Sequence, residues 1–363
     1  SGGLPEAALG KTSLSSSGSG AASQVNLRSA WGLALDAEGR LWVSDQDGNR
    51  VVAFDQAATA PTGTPMSRVL GQPDFVTSTK GLSAAGLSVP RAIALDASGN
   101  LWVADAGNHR VVRFNAVASK GAGAAADAVL GQPDLVTAAT GNEAGRFNGP
   151  RGLAVDASGR LWVADTGKHR VVRYDEPMKA LPMMDPSGTL GRSGGVDGLS
   201  MREPSGVAVT RGGRLWVADM SYNRVLRFEN AAQLTNTAPA SGVLGTAVLN
   251  QMPVDGRTRR VFRRPMGVSL DANESLWVAD VNNARLLKFT PDPLATVEAM
   301  ERTAAGVWRL RFSTQEAGTF NVQSSTDLKV WTDEAAYKLG AGVSQWHERP
   351  ADGVARFFRI YEP

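Results

Sequence analysis

One fourteen-residue pattern occurs five times in the 363-residue chain and constrains its fold more than any other feature. Each copy begins Leu-Trp-Val, continues with Ala or Ser and then Asp, and ends on Phe or Tyr. The copies occupy residues 41–54, 101–114, 161–174, 215–228 and 276–289. Their Asp residues are separated by 60, 60, 54 and 61 positions. Such a period is typical of repeat architectures in which each unit is one supersecondary motif.

Each repeat contains four short apolar runs, of the types Gly-Leu-Ala-Val-Asp, Leu-Trp-Val-Ala-Asp, Arg-Val-Val-Arg-Phe and Val-Leu-Gly. Short turns that contain Gly, such as residues 157–160, join the first two runs and predict a hairpin. The second run is apolar on both faces, so it must be covered on both sides. We therefore predict an all-β chain in which four-stranded antiparallel sheets repeat around an axis, which is a β-propeller.

The number of blades follows from counting the runs. The first three runs occur five times, four runs of the Val-Leu-Gly type lie between the copies, and residues 7–10 (Ala-Ala-Leu-Gly) precede the first copy. We predict five four-stranded blades with circular closure, in which residues 7–10 supply the outer strand of the last blade. A ring of six blades is the alternative.

The repeat resembles a known family. The pattern P-x-G-[LV]-A-[VL]-D, then G-x-L-W-V-A-D, then N-x-R-V-x-R-F is similar to the NHL repeat over about residues 27–290. The resemblance implies a propeller, which we place at residues 1–290. It leaves the function open, because NHL propellers include enzymes, RNA binders, protein-binding modules and exported scaffolds.

The pattern changes after Phe289. Residues 291–296 are predicted to be a linker because Pro291 and Pro293 interrupt the strands. Residues 297–363 alternate with period two and predict five to seven strands. They resemble the small β-sandwich modules found at the C-terminus of exported bacterial proteins, which implies an extracellular, cell-surface or periplasmic location. Since the sequence begins at Ser1 rather than Met, we expect that a leader or tag has been removed.

No run of about 18 apolar residues occurs, so no membrane span is predicted. Cys is absent, which excludes disulfides and thiolate metal sites. The formal net charge is only +3, so the placement of charges matters more than their sum.

Long loops lead into the first strand of each repeat, at residues 11–30, 72–89, 132–149, 192–203 and 246–264. We call them the leading loops. Loops of this length in a compact domain are usually functional or disordered. Strand order places all five on one face, which we predict to bind ligand.

Two sets of residues on this face predict an anion site. One loop carries five arginines, Arg257, Arg259, Arg260, Arg263 and Arg264. The head of the first strand varies between copies, as Trp31, Arg91, Arg151, Ser205 and Met266. Guanidinium groups pair with carboxylates or sulfates, so we predict binding of an acidic carbohydrate or protein by Trp31, Arg91, Arg151 and the arginine-rich loop. A solvated loop and packing between blades are the structural alternatives.

Metal sites have weaker support. His109 and His169 occupy the same position in adjacent repeats, and the resemblance includes enzymes of the amidating-lyase kind that use His ligands on a propeller. No third ligand is evident, and His is an ordinary choice at this repeat position. Asp45 and Asp47 begin a D-x-D-G-N run typical of calcium loops, but the distal Glu is missing. We therefore predict no metal, no cofactor and no catalytic residue, with calcium as an alternative.

A further pair is invariant. Asp45 and Arg50 are separated by four residues, and the same spacing recurs in every repeat. A charge-assisted hydrogen bond across the turn explains this repetition, since an active site needs asymmetry.

Together these patterns predict an exported, non-enzymatic binding or scaffold protein that is a monomer with an unknown partner. The alternative is a metal-dependent propeller lyase or hydrolase with its site at the channel mouth. Single-stranded nucleic acid, which arginines and aromatics also bind, is a third and less favoured ligand.

Overall fold

The computed structural model describes residues 7–16, 20–179, 182–236, 238–246, 249, 261–290, 295–303, 307–314, 318–326, 332–339, 344–350 and 357–361. The chain divides into two compact units, Ser1–Lys288 and Phe289–Pro363. The first unit is a five-bladed β-propeller, as predicted. Among the described residues, no helix has the length and apolar character needed to cross a membrane.

Four blades are antiparallel sheets of four strands in chain order. Blade one contains β1 (Ala30–Leu35), β2 (Leu41–Asp45), β3 (Arg50–Phe54) and β4 (Arg68–Leu70). Blade two contains β5 (Pro90–Leu95), β6 (Leu101–Asp105), β7 (Arg110–Phe114) and β8 (Ala128–Leu130). Blade three contains β9 (Gly152–Val155), β10 (Leu161–Asp165), β11 (Arg170–Tyr174) and β12 (Gly188–Leu190). Blade four contains β13 (Pro204–Val209), β14 (Leu215–Asp219), β15 (Arg224–Phe228) and β16 (Gly242–Leu244).

Blade five has three strands in the described residues, β17 (Pro265–Leu270), β18 (Leu276–Asp280) and β19 (Arg285–Phe289). Single 3₁₀ turns join the second and third strands of blades two to five, at Ala106–Asn108, Thr166–Lys168, Met220–Tyr222 and Val281–Asn283. Others follow the third strand, at Val117–Ser119, Pro177–Lys179 and Ala231–Gln233. The closure of blade five by residues 7–10 stays a prediction.

The core lies between neighbouring blades. The tryptophan of the second strand is almost fully buried in blades one to three, as in Trp102. Its indole N–H donates to the aspartate of the preceding hairpin, with a distance of 3.2 Å from Trp102 Nε1 to Asp96 Oδ2. The apolar groups of one blade pack on those of the next, as Leu70 of blade one packs with Leu87 and Leu101 of blade two. Burial of both faces of each sheet therefore builds the ring.

The invariant Asp–Arg pairs are ion pairs in which every aspartate is fully buried, which supports the structural interpretation of that motif. Arg110 Nε lies 2.7 Å from Asp105 Oδ2, and both side chains have no exposed surface. The other amino groups of Arg110 donate to backbone carbonyls of two leading loops, Ser83 and Gly86 in its own blade and Leu135 in the next. Asp105 Oδ1 also accepts the Ser88 N–H at 2.7 Å. One pair thus fixes two successive leading loops.

In its described residues, the second unit contains two antiparallel sheets of three strands. One comprises β20 (Ala295–Arg302), β21 (Val307–Thr314) and β24 (Ser344–Pro350), and the other β22 (Gly318–Ser325), β23 (Thr332–Leu339) and β25 (Phe357–Tyr361). The sheets meet at the rings of Phe312 and Tyr337, whose centroids are 5.6 Å apart. Six strands agree with the predicted five to seven, while assignment as an exported β-sandwich module stays a prediction.

We predict that Arg110→Ala lowers the free energy of unfolding of the propeller by about 3–5 kcal/mol, because it leaves a buried carboxylate unpaired. Burial raises the pKa of Asp105, and the charge of Arg110 opposes that effect. Urea unfolding monitored by tryptophan fluorescence measures the loss. The control is Arg192→Ala, which breaks an exposed pair with Asp197 and should cost at most about 1 kcal/mol. Equal losses in both variants would contradict the role given to the buried pair.

Candidate functional site

The heads of the first strands converge at the mouth of the central channel, on the face of the leading loops. A cavity of about 260 Å³ opens there, and Arg91, Arg151 and Glu203 line it. Trp31 and Arg264 contact the same group of charges from blades one and five. We call these five residues the channel-mouth site. It combines four residues predicted from the sequence with one, Glu203, that was not.

Arg91 lies against an aromatic ring. Its guanidinium carbon is 4.2 Å from the centroid of the Trp31 ring, which is cation–π geometry. Burial, together with the nearby positive charge of Arg151, lowers the pKa of Arg91 to about 10. Arg91 therefore stays protonated at neutral pH, but its charge is destabilised by its surroundings.

The guanidinium groups of Arg151 and Arg264 both contact the sulfur of a buried methionine, Met220. Arg151 Nη1 and Arg264 Nη2 are each 3.7 Å from the Met220 sulfur. Burial and the charge of Arg264 lower the pKa of Arg151, while Glu203 raises it. Within the described ranges, Arg91, Arg151 and Arg264 form no ion pair with a carboxylate. Positive charge that the protein leaves unpaired in a half-buried cavity is suited to hold an anion.

Glu203 supplies the one carboxylate among the residues that line this cavity. The Ser221 hydroxyl donates to its Oε2. That hydrogen bond, together with the charges of Arg151 and Arg264, lowers the pKa of Glu203 below its ordinary value of 4.5. Glu203 is therefore ionised at neutral pH and can accept a proton.

The backbone at Glu203 is left-handed, a conformation that recurs at this position of the repeat. Glu203 has φ +57°, a conformation that favours glycine, and Gly149 occupies the equivalent position in blade three at φ +59°. Val89 and Arg264 adopt the same conformation at φ +51° in blades two and five. A β-branched residue there is strained, and strain of this kind clusters at functional sites. The sequence gives no signal for Glu203, because this position differs in every repeat, as Ser29, Val89, Gly149, Glu203 and Arg264.

His109 and His169 have a structural partner. His109 Nδ1 accepts the Gly149 N–H at 3.0 Å, and His169 Nδ1 accepts the Glu203 N–H at 3.1 Å. Asn49 Oδ1 accepts the Val89 N–H in the same way at 2.8 Å. When Nδ1 accepts, the proton of the neutral ring lies on Nε2, which leaves no lone pair for a metal. The described parts of the chain also contain no group of three or more His, Asp or Glu side chains that could hold a metal ion.

The proposed calcium ligands are engaged elsewhere. Asp45 is fully buried, its Oδ2 lies 2.9 Å from Arg50 Nε, and its Oδ1 accepts the Arg28 and Ser29 N–H groups. Asp47 is exposed and accepts from Gln46. In the described structure, these contacts of Asp45 hold the turn and the leading loop.

The arginine-rich loop is only partly described. Arg257, Arg259 and Arg260 lie outside the described residues. Arg263 donates its backbone N–H to Asp280 at 2.7 Å, and Arg264 reaches the channel mouth. A role for this loop in ligand binding stays a prediction.

Comparison with known proteins agrees with this architecture. Residues 87–114, 147–174, 201–228 and 262–289 match the NHL repeat. The four matched segments lie in blades two to five and include Arg91, Arg151, Glu203 and Arg264.

Two relatives are named as enzymes. A probable peptidyl-alpha-hydroxyglycine alpha-amidating lyase of Caenorhabditis elegans is 35% identical over 94 residues, which are 25% of this chain and 25% of that protein. Peptidyl-alpha-hydroxyglycine alpha-amidating lyase 2 of Drosophila melanogaster is 29% identical over 96 residues, 26% of this chain and 22% of that protein. The chain thus spans about a quarter of the length of these relatives.

Similar solved structures include a streptogramin B lyase, with 12% identity, a TM-score of 0.44 and coverage of 88% of this chain and 86% of that one.

The relatives correct one prediction. A non-enzymatic binding or scaffold protein is the wrong conclusion from the sequence, since two relatives, each matched over about a quarter of the chain, are named as lyases. The alternative, a metal-dependent propeller lyase or hydrolase with its site at the channel mouth, agrees better with these names. The physical reason for the error is that the repeated motifs hold the blades together and therefore carry no information on chemistry.

We predict that His109→Asn changes the free energy of unfolding by less than about 0.5 kcal/mol, because Asn performs the same task at position 49. His109→Ala should cost about 1–2 kcal/mol, since the Gly149 N–H loses its acceptor. Urea unfolding of both variants provides the measurement. If His109→Asn is as damaging as His109→Ala, the imidazole has a role beyond this hydrogen bond.

Proposed function

We propose that this protein is a lyase whose active site is the channel-mouth site, and that its substrate carries a carboxylate next to a carbon that bears a hydroxyl group. The observation that carries the proposal is the set of unpaired guanidinium groups of Arg91, Arg151 and Arg264 around one ionised carboxylate, Glu203. The arginines supply the anion-binding part and Glu203 supplies the proton acceptor.

The names of the relatives support a specific reaction. A peptidyl α-hydroxyglycine ends in –CO–NH–CH(OH)–COO⁻. Amidation without an added reagent requires that the bond between nitrogen and the hydroxyl-bearing carbon breaks. The products are the peptide amide and glyoxylate, and every atom of the substrate is retained in one or the other. We propose a substrate of this class for the present chain.

The residues fit the charges of this substrate. Arg91 and Arg151 hold the terminal carboxylate by charge-assisted hydrogen bonds, and Trp31 keeps Arg91 in place. Glu203 accepts the hydroxyl proton while the carbon–nitrogen bond breaks and a carbonyl forms. The proton then passes to the departing amide nitrogen, so the carboxylate is regenerated. Proton transfer of this kind contributes about 10²–10⁴-fold to the rate.

A metal at His109 and His169 does not fit, because backbone N–H groups occupy the Nδ1 atoms of both rings. The metal-dependent form of the alternative is therefore not part of this proposal.

The direct test is turnover of an N-acyl peptidyl-α-hydroxyglycine, followed by release of glyoxylate. We expect Glu203→Gln to lower kcat at least about 100-fold with little change in KM. Glu143→Gln is the matched control, because Glu143 lies on a leading loop of the same face but outside the cavity. Absence of glyoxylate from the wild-type protein, or equal loss in both variants, would contradict the proposal.

The pH dependence offers a second prediction. Because the pKa of Glu203 is lowered, kcat/KM should stay high on the acidic side until pH falls below 4.5, where Glu203 becomes protonated. Ser221→Ala removes the hydrogen bond that contributes most to this shift, so the acidic limb should move to higher pH. An acidic limb that does not move in Ser221→Ala assigns the ionisation to another group.

A further inference from the structure

The head position of the first strands differs in charge around the channel mouth. It carries a guanidinium group in blades two and three, at Arg91 and Arg151, and an uncharged side chain in the other blades, at Trp31, Ser205 and Met266. Arg91 and Arg151 line the cavity of the channel-mouth site. The uncharged heads line a second cavity, of about 420 Å³, to which the first strands of all five blades contribute. We call it the channel cavity.

The wall of the channel cavity is mainly apolar. Among the described residues that line it, Arg151 alone carries a charge. Every blade also contributes an aliphatic residue from its first strand, and these residues are Leu33, Ile93, Leu153, Val207 and Val268. A polar group that enters such a wall loses its hydrogen bonds to water and finds few replacements, so the cavity favours an apolar group.

The hydroxyl group of Ser205 does not change this character. Ser205 is buried, and its Oγ donates to the Met266 carbonyl of blade five at 2.8 Å. This hydrogen bond joins two neighbouring blades, so the hydroxyl group serves their packing. Met266 is half-buried at the same cavity, and its flexible thioether side chain adapts to apolar ligands of different shape.

Arg151 connects the two cavities, because it lines both. A ligand whose carboxylate binds to Arg151 therefore has the apolar wall beside it. Consecutive Cα atoms of a peptide are about 3.8 Å apart, so the side chain that precedes the C-terminal residue lies within reach of this wall. The channel cavity also has an ordinary volume for a small-molecule site, since such sites span about 300–1,000 Å³.

We infer that the channel cavity binds the side chain of the residue that precedes the terminal hydroxyglycine, and that this side chain is apolar. The inference rests on the proposed function, because it takes the substrate carboxylate to be held by Arg91 and Arg151. The lyase then selects peptides by the residue before the bond that breaks. Met266 and Val268 determine this selectivity by contact with that side chain and take no part in the cleavage.

Binding of two unreactive peptides to the full chain tests the selectivity. N-acetyl-Leu-Gly and N-acetyl-Asn-Gly carry the same terminal carboxylate, and their Leu and Asn side chains have similar size and shape. Isothermal titration calorimetry should give an affinity at least about ten times higher for the Leu peptide. Equal affinities, or a preference for the Asn peptide, would overturn the inference.

A variant of the wall gives a second readout. Met266→Gln introduces a polar group of similar length, and we expect it to lower the Leu-to-Asn affinity ratio at least about threefold. The control is Val136→Thr, which changes a residue that is 63% exposed on a leading loop and should keep the ratio of the wild-type protein. An unchanged ratio in Met266→Gln, or an equal loss in both variants, would contradict the assignment of the wall. The comparison of the two peptides in the wild-type protein depends on neither variant.

Failure of the proposed reaction is distinguishable from failure of this inference. Absence of glyoxylate together with a retained preference for the Leu peptide would overturn the reaction and leave the apolar binding site standing. Equal kcat/KM for α-hydroxyglycine substrates that carry Leu or Asn before the hydroxyglycine would overturn the inference and leave the reaction standing. Binding of neither peptide would overturn both.

Discussion

The buried Asp–Arg pair of each repeat is the interaction on which the propeller face depends. Arg224 shows why, since one guanidinium bonds to Asp219, to the Ser200 carbonyl in its own leading loop and to the Leu249 carbonyl in the next. A lysine has one nitrogen and cannot make this set of contacts. The pair therefore fixes the positions of long loops that have no regular secondary structure. The channel-mouth residues lie at the ends of these loops. Their positions therefore depend on the Asp–Arg ion pairs, which take no part in the proposed reaction.

The distinction between residues that hold the blades and loops in place and residues that form the site also explains what could be predicted from the sequence. The blades were predictable because strands apolar on both faces, separated by short turns, recur five times and have few alternative folds. Arg91 and Arg151 were predicted as ligand-binding residues because they vary at one position of an otherwise uniform repeat. Glu203 was not found, because a loop carboxylate is common and its importance depends on a left-handed backbone and on Ser221. These features arise only in the folded chain.

His109 and His169 illustrate a second limit of the sequence. In sequence, an imidazole that accepts a backbone N–H cannot be told from one that binds a metal. Asn49 occupies the same position and accepts the same hydrogen bond, which indicates the structural role once the partner is known. The predicted function was wrong for a related reason. The repeated residues determine the blades, and the residues that vary between repeats are too few to define a reaction.

The central claim is that the channel mouth binds a substrate carboxylate through unpaired arginines. Isothermal titration calorimetry with an unreactive peptide that ends in glycine, as the free acid and as the C-terminal amide, tests it most directly. The account predicts that the wild-type protein binds the acid at least ten times more tightly than the amide, and that Arg91→Ala with Arg151→Ala removes this preference. Equal affinity of the wild-type protein for acid and amide would contradict it.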